Sequence, residues 1–419
     1  VTARSESWWE PGLEGRRLGV AVALGVALFL LSFGLLSLGP FDEGEIADTP
    51  TYQRYGDAIV DSGAVPYRDF SLEYPPGALP TFLIPSLGPV EHYRTIFEIL
   101  MLACGAAAVA LVAVTLASVG ASTSRLFGAT AFAGLAPLAL GPVVLTRFDL
   151  WPAMLTVASV AALVRGRSRL AFAILGLAVA AKLYPAVLLP VALAYVGRQR
   201  GGREVLAGLG MFAAVLAALL LPFAVLSPDG LAHALERQTG RPLQLESLGA
   251  GFLLALHQVG LYEPTVVSSF GSQNLVGGAP DALATLLTVL QILAVVGVWL
   301  LFASHRGWRE ELLAAWAAAV AVLVAFAKVL SPQFLIWLIP LVPLVGGRRG
   351  LAAAGLFAVA LVLTQLWFPT RYWELVAFEP GPTWLLVARN TFLVALAAVL
   401  ASAIGADARA PGRGRSRSG

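Results

Sequence analysis

The sequence predicts an all-α polytopic membrane protein, a bundle of about 12 transmembrane helices with two extended outer loops. Three observations lead there. The 419 residues are 58% hydrophobic and only 13% charged, whereas a soluble domain is roughly 25% charged. Apolar runs of about 20 residues, long enough to cross a bilayer core, recur along nearly the whole chain. The arginines also cluster on alternate sides of those runs.

In order, the predicted crossings are 18–38, 96–119, 126–146, 148–164, 170–181, 183–196, 204–226, 282–303, 311–329, 333–346, 350–368 and 383–404. The first follows Arg16-Arg17 and ends in Gly39-Pro40-Phe41, a poor cleavage site, so it reads as a span rather than a secretory signal. The fifth and sixth are too short for ordinary spans. They read as half-helices meeting at Lys182-Leu183-Tyr184-Pro185, or as one long tilted helix.

Charge placement sets the expected orientation. With the N-terminus inside, the inner segments carry 18 of the 28 basic residues and 7 of the 25 acids. The inner side is then +11 and the outer side −8, which sum to the net +3. Positive-inside bias supports that arrangement. It also requires an even number of crossings between Arg169 and Arg198, which favours paired half-helices. Residues 1–17 are thus a cytoplasmic N-terminus, and 18–404 are the membrane domain. Residues 405–419 are a basic, Arg/Gly/Ser-rich cytoplasmic tail expected to be disordered. Only Lys182 and Lys328 are lysines among the 28 cations, a bias that suggests a GC-rich genome. The lone Cys104 excludes an intrachain disulfide and any Cys-based metal site.

The two long loops, 39–95 and 227–281, both fall on the outer side, so chemistry is expected there. The second includes an apolar stretch, Gly251 to Leu261, suited to the membrane interface. In the first, Asp48-Thr49-Pro50 has the form of a helix start, with an N-cap candidate followed by Pro in the first turn. The helix should run to about Asp61 and stop at Gly63. Tyr52, Tyr55 and Ile59 fall at i, i+3 and i+7, a stripe suited to lying on the membrane. Two roles stand open for Asp48: capping that helix, or accepting a proton from an attacking sugar hydroxyl at the membrane surface.

The neighbouring acids Asp42, Glu43, Glu45, Asp57, Asp61, Asp69 and Glu73 read as a solvated face. Hard cations take oxygen ligands, but no spacing among Asp42, Glu43 and Asp48 dictates a cage, and no metal is predicted. Ionisable residues within a membrane are costly and usually functional. Lys182, Arg147 and Lys328 could converge on an anionic headgroup, arginine gripping phosphate bidentately and lysine acting as a point charge. The alternatives are snorkelling for Lys182 and Lys328 and a local ion pair between Arg147 and Asp149. Arg371 reads as a surface charge, with Arg389 also on the outer side. The four histidines are scattered. With no P-loop and no dinucleotide fingerprint, neither nucleotide chemistry nor a nucleic-acid partner is expected.

These residues fall into a familiar order. Asp48-Thr-Pro-Thr-Tyr52, Gly63-Ala-Val-Pro-Tyr67-Arg68-Asp69-Phe70 and Glu73-Tyr74-Pro75-Pro76-Gly77 resemble the first-loop signature of glycosyltransferase family 87. Arg147-Phe-Asp149-Leu-Trp-Pro152, Lys182-Leu-Tyr184-Pro185 and Ser331-Pro332-Gln333-Phe-Leu-Ile-Trp337 resemble its later motifs. The resemblance runs over roughly 18–404.

It implies a GT-C bundle, the integral-membrane class that includes actinobacterial mannosyl- and arabinofuranosyltransferases. Such enzymes use a polyprenyl-phosphate sugar on the outer face, and their catalytic Asp lies in the first outer loop. Asp48 best matches that Asp. Phe41-Asp42-Glu43 also resembles the Asp-Glu motif of protein mannosyltransferases, which makes Asp42 the second candidate.

The implied reaction transfers a sugar, mannose first, to a cell-envelope glycolipid or polysaccharide at the plasma membrane, with inversion and without a cofactor. Lys182 and Arg147 would bind the donor phosphate, with Asp149, Tyr52, Tyr184, Lys328 and Gln333 around the same pocket. Arg68, Asp69 and Glu73 would order the loop or hold the acceptor. A transporter or lipid flippase is the alternative, since it too would have broken helices and buried cations. Against it stand the missing internal repeat and the gathering of acids in one loop.

Overall fold

The computed structural model describes residues 13–39, 46–305 and 309–405. Among the described residues, six helices are long and apolar enough to cross a membrane. They are α1 (Leu13–Ser37), α4 (Tyr93–Ser118), α10 (Gly202–Leu226), α13 (Gly278–Ser304), α15 (Gly347–Gln365) and α17 (Pro380–Ala403). Between α1 and α4 lie α2 (Thr49–Val60) and α3 (Leu79–Ser86). The remaining predicted runs form shorter helices: α5 (Thr123–Leu140), α6 (Val143–Thr146), α7 (Leu150–Val164), α8 (Ser168–Ala181), α9 (Leu189–Arg200) and α14 (Arg309–Ala325), and a single turn, α16 (Tyr372–Val376), precedes α17.

The run expected at 333–346 is not an α-helix. It forms 3-10 turns over Pro332–Leu338 and Val342–Leu344. Pro332, Pro340 and Pro343 each remove a backbone donor there, so an i→i−4 ladder cannot propagate. The run expected at 126–146 breaks at Gly141-Pro142, where Gly141 takes φ +87°. That left-handed conformation suits glycine and ends α5 before Pro142 opens the next turn.

Apolarity all round predicts burial, and α14 shows it: Leu312 through Val320 are buried on every face. This helix packs against α7, α9, α13 and α17 and forms the axis of the bundle. Its Trp316 indole donates to the Thr156 carbonyl of α7 at 3.3 Å. On one flank α1 crosses α5 at Gly25 and Gly134, where a Cβ on Gly134 would stand 2.6 Å from the Gly25 carbonyl. Small residues permit this approach, and Ser32 Oγ seals it by donating to Gly134 O at 2.9 Å. Cys104 is buried in the packing of α4.

The segment 227–281 is more structured than a loop. It contains α11 (Pro228–Thr239), α12 (Leu248–Gln258) and a three-stranded antiparallel sheet. Strands β1 (Leu243–Gln244), β2 (Val266–Ser269) and β3 (Ser272–Leu275) take the order β1-β3-β2. This sheet is an addition to the predicted all-α class. The β2–β3 hairpin turns through Phe270-Gly271, both at positive φ, as a two-residue type I′ loop requires. The stretch expected to lie in the interface falls largely in the helix α12, which packs on α17; Leu253 and Leu254 are buried while Phe252, Val259 and Leu261 remain exposed.

Candidate active site

Three interruptions in the helical bundle build the site. At the first, α6 ends and Arg147 is extended (φ −120°, ψ 138°) before α7 begins at Leu150. At the second, α8 stops at Ala181 and Lys182 is extended (φ −158°, ψ 141°). A 3-10 turn, Tyr184–Leu188, then leads into α9, with Pro185 and Pro190 early in their segments where a missing N–H costs least. The third is the extended Ser331 that opens the Pro332 turn. The predicted break at Lys182 is therefore present.

The helix predicted after Asp48 is α2, spanning Thr49–Val60 and followed by Gly63 at φ +64°. The capping role expected for Asp48 is overturned, because its side chain makes no cap hydrogen bond. It turns away instead. Its Oδ2 lies 3.1 Å from Arg147 Nε and accepts from the Tyr52 hydroxyl at 3.2 Å. The Asp48 side chain is 34% exposed, that of Arg147 only 5%. Arg147 is fixed on all sides: Nε also donates to Gln333 Oε1 at 2.9 Å, Nη2 to Ile46 O and Nη1 to Thr146.

The local Arg147–Asp149 pair is likewise corrected. The two residues flank the chain break and point to different partners. Asp149, fully buried, accepts from Lys182 Nζ at 2.6 Å and from the Trp337 indole at 2.5 Å. Lys182 Nζ sits 4.7 Å from the Phe148 ring centroid and 5.4 Å from that of Trp337, within cation–π range. Tyr184 stacks on Trp337 at 4.0 Å and shares a hydrogen bond with Thr156 at 2.9 Å.

The stripe of Tyr52 and Tyr55 does not lie free on a membrane. Tyr52 is fully buried, stacked on Phe82 at 4.7 Å and set edge-on to Phe148 at 5.6 Å. Tyr55 stacks on Phe70 at 5.7 Å. The stripe's aromatic character thus serves packing inside the protein.

A cavity of about 410 Å³ opens above this layer. It is lined by Asp48, Thr51, Glu73, Tyr74, Arg147 and Gln333. Arg241, Gln244, Glu246, Tyr372 and Trp373 line it as well. Asp149, Lys182, Tyr184 and Tyr52 are packed beneath rather than lining it. Lys328 stands behind β1, its carbonyl accepting Gln244 N–H at 3.0 Å. Asp42 lies outside the described residues.

Arg68 and Asp69 close a turn away from the cavity. They pair at 2.9 Å, and Asp69 Oδ2 also accepts from Val65 N–H at 2.7 Å. These bonds hold the Asp69 carboxyl down, at about 2. Glu73 faces Arg241 at 3.7 Å, and burial raises its pKa despite that partner. Glu73 and Tyr74 also border a second, apolar cavity of about 100 Å³, lined by Val179, Leu183, Leu216, Leu220 and Leu231.

The Gln244–Glu246 part of the lining went unnoticed in the sequence. Its signal is the alternation Leu243-Gln244-Leu245-Glu246, in which the leucines are fully buried while Gln244 and Glu246 line the cavity. That period of two begins in β1 and runs on into the turn that follows it. Burial pushes the Glu246 carboxyl up to about 7, against the pull of Arg389. Arg389 supports this wall from behind, donating to the Glu246 carbonyl at 2.9 Å. Arg371 is exposed and paired with Glu374 at 2.8 Å, as a surface charge should be.

Fold and site together define an integral-membrane protein with a charged, sugar-sized cavity beside an apolar one. The sequence profile of glycosyltransferase family 87 matches residues 72–332, more than half of the chain. The chain belongs to glycosyltransferase family 87, and is thus a membrane glycosyltransferase. The match takes in Glu73, Arg147, Asp149, Lys182, Arg241 and Glu246, while Asp48 lies upstream of it. No curated protein matches the chain.

Proposed function

We propose that this enzyme transfers a sugar, mannose first among candidates, from a polyprenyl-phosphate donor to a glycolipid or polysaccharide of the cell envelope. The active site faces outward from the plasma membrane, and both termini are cytoplasmic. The observation that carries the reading is the Asp48 carboxylate, anchored by Arg147 and Tyr52 yet open to the cavity.

Asp48 takes the proton of the acceptor hydroxyl as its oxygen attacks the anomeric carbon. The bond from that carbon to the phosphate oxygen breaks, and polyprenyl phosphate leaves with the electron pair. A single displacement inverts the anomeric configuration. A phosphate leaving group needs little protonation, so no acid is required on that side. Arg147 and Arg241 supply positive charge on the cavity walls, where it counts most as charge grows on the departing phosphate. Lys182 acts one layer below, holding Asp149 and the aromatic floor. The apolar groove beside Glu73 and Tyr74 supports a lipid-linked donor, because the first isoprene units can lie along α8, α10 and α11 with the phosphate at the charged cavity.

Purified enzyme in nanodiscs, given polyprenyl-phosphate mannose and membrane glycolipid extract, should release polyprenyl phosphate and form a new mannolipid. Asp48→Asn should lower the rate about 10²–10⁴-fold, the usual contribution of a general base. Equal turnover by the wild type and a folded Asp48→Asn would remove Asp48 as the base. If neither turns over mannose, arabinofuranose or glucose donors, the proposed reaction is wrong.

A further inference from the structure

The part of the cavity lined by Gln244 and Glu246 has the features of a binding site for carbohydrate hydroxyls. Glu246 and Gln244 are each 3% exposed, and both line the cavity. Glu246 Oε2 and Gln244 Oε1 are buried without a hydrogen-bond partner among the described residues. Leaving such atoms unpaired is costly, a penalty that a bound polar ligand removes. Their positions are fixed by more than the short strand. Arg389 Nη2 holds the Glu246 carbonyl from behind, and Asn390 Nδ2 holds Ser247 O at 3.1 Å. Beside them Trp373, 51% exposed, offers a flat apolar ring at the cavity edge.

We propose that Glu246, Gln244 and Trp373 form the subsite for the acceptor sugar, binding adjacent hydroxyls through the carboxyl and amide and its C–H face on the indole. The assignment rests on the preceding reading, in which the acceptor hydroxyl must reach Asp48 across the same cavity. Hydroxyls both donate and accept, so a carboxyl and an amide set side by side can fix a pair of them. At neutral pH the carboxyl of Glu246 is close to its midpoint of about 7, so both its donating and its accepting form are available. The charged and titratable groups around it are Arg389 behind, Arg241 and Tyr372 beside it, and Glu73 and Asp48 in the same cavity lining. A site built to hydrogen-bond a hydroxyl rejects the analogue lacking it strongly, because its own buried groups are then left unpaired.

The test is equilibrium binding of octyl α-mannoside, and of its monodeoxy analogues, to the full chain in nanodiscs without donor. Glu246→Leu, Gln244→Leu and Trp373→Ala should each raise the Kd at least 10-fold, whereas the exposed control Arg94→Ala should stay within twofold. In Glu246→Leu, the preference for octyl α-mannoside over one deoxy analogue should also disappear, which a merely structural role would not produce. Glu246→Gln should keep much of the affinity and covers the case in which the leucine variant does not fold. Absent binding to the wild type, or unchanged Kd and unchanged selectivity in the variants, would overturn the subsite. Because no donor is present, that failure is distinct from a failure of sugar transfer.

Discussion

Asp48 Oδ2 and Arg147 Nε stand 3.1 Å apart, joining the start of α2 to the break between α6 and α7. One partner is a third exposed and the other nearly buried. The guanidinium thus acts as a fixed post that sets where the reactive carboxylate points. Arginine suits that task because its planar fork holds several acceptors at once.

Arg147→Lys should therefore be far from conservative. A lysine can keep the charge near Asp48, but it loses the fork that also binds Gln333, Ile46 and Thr146. Each buried acceptor left behind costs about 1–3 kcal/mol. Sugar transfer should fall at least 10-fold with a lower Tm, read from turnover assays and thermal unfolding in detergent. Full activity in Arg147→Lys would dismiss the post.

The pair beneath the cavity makes a different prediction. Lys182→Met leaves Asp149 as an uncompensated buried charge, which typically costs about 3–5 kcal/mol. Replacing both, as Lys182→Met with Asp149→Leu, should recover most of the lost Tm. Thermal unfolding of the singles and the double closes this cycle. A double variant no more stable than Lys182→Met would show that the aromatic floor, not the ion pair, sets the cost.

Glu246 gives stability a pH dependence. Its folded pKa of about 7 lies above the roughly 4.3 of an unfolded glutamate. The folded state therefore binds this proton more tightly. The associated stability is fully present below pH 4 and is lost as pH rises through 7. The span corresponds to ~4 kcal/mol at most. Glu246→Gln should gain Tm relative to the wild type between pH 5 and pH 8. A difference in Tm that does not change with pH would contradict the raised pKa.

Close packing at Gly77 offers a test of how the first segment is seated. A Cβ there would meet the Ala180 carbonyl carbon at 2.5 Å, and the Gly77 carbonyl already accepts from the Trp151 indole at 3.1 Å. Gly77→Val should cost about 1–3 kcal/mol, as overpacking does, and should disturb the adjoining Glu73-Tyr74 wall. Reduced Tm together with reduced turnover is expected. A variant with wild-type Tm would mean that the turn floats freely over α8.

Much of this protein was legible in one dimension. Composition and long apolar runs determined a helical membrane protein, because the bilayer demands about 20 apolar residues per crossing whatever the tertiary context. The break at Lys182 and the helix from Thr49 to Val60 were visible because proline and glycine act locally. The order of short motifs also pointed to the family. Tertiary structure alone decided which charges meet. Asp48 could cap its helix or leave it, and Arg147 could pair with Asp149 or reach elsewhere. Those choices depend on neighbours brought in from α6, α7 and the Pro332 turn. The Glu246 wall was hidden for the same reason: Gln244 on β1 and Glu246 in the turn after it acquire meaning only where the hairpin and α17 hold them against the cavity that Asp48 also lines. Burial and electrostatic partnership are properties of assembled surfaces, and no local pattern in the chain encodes them.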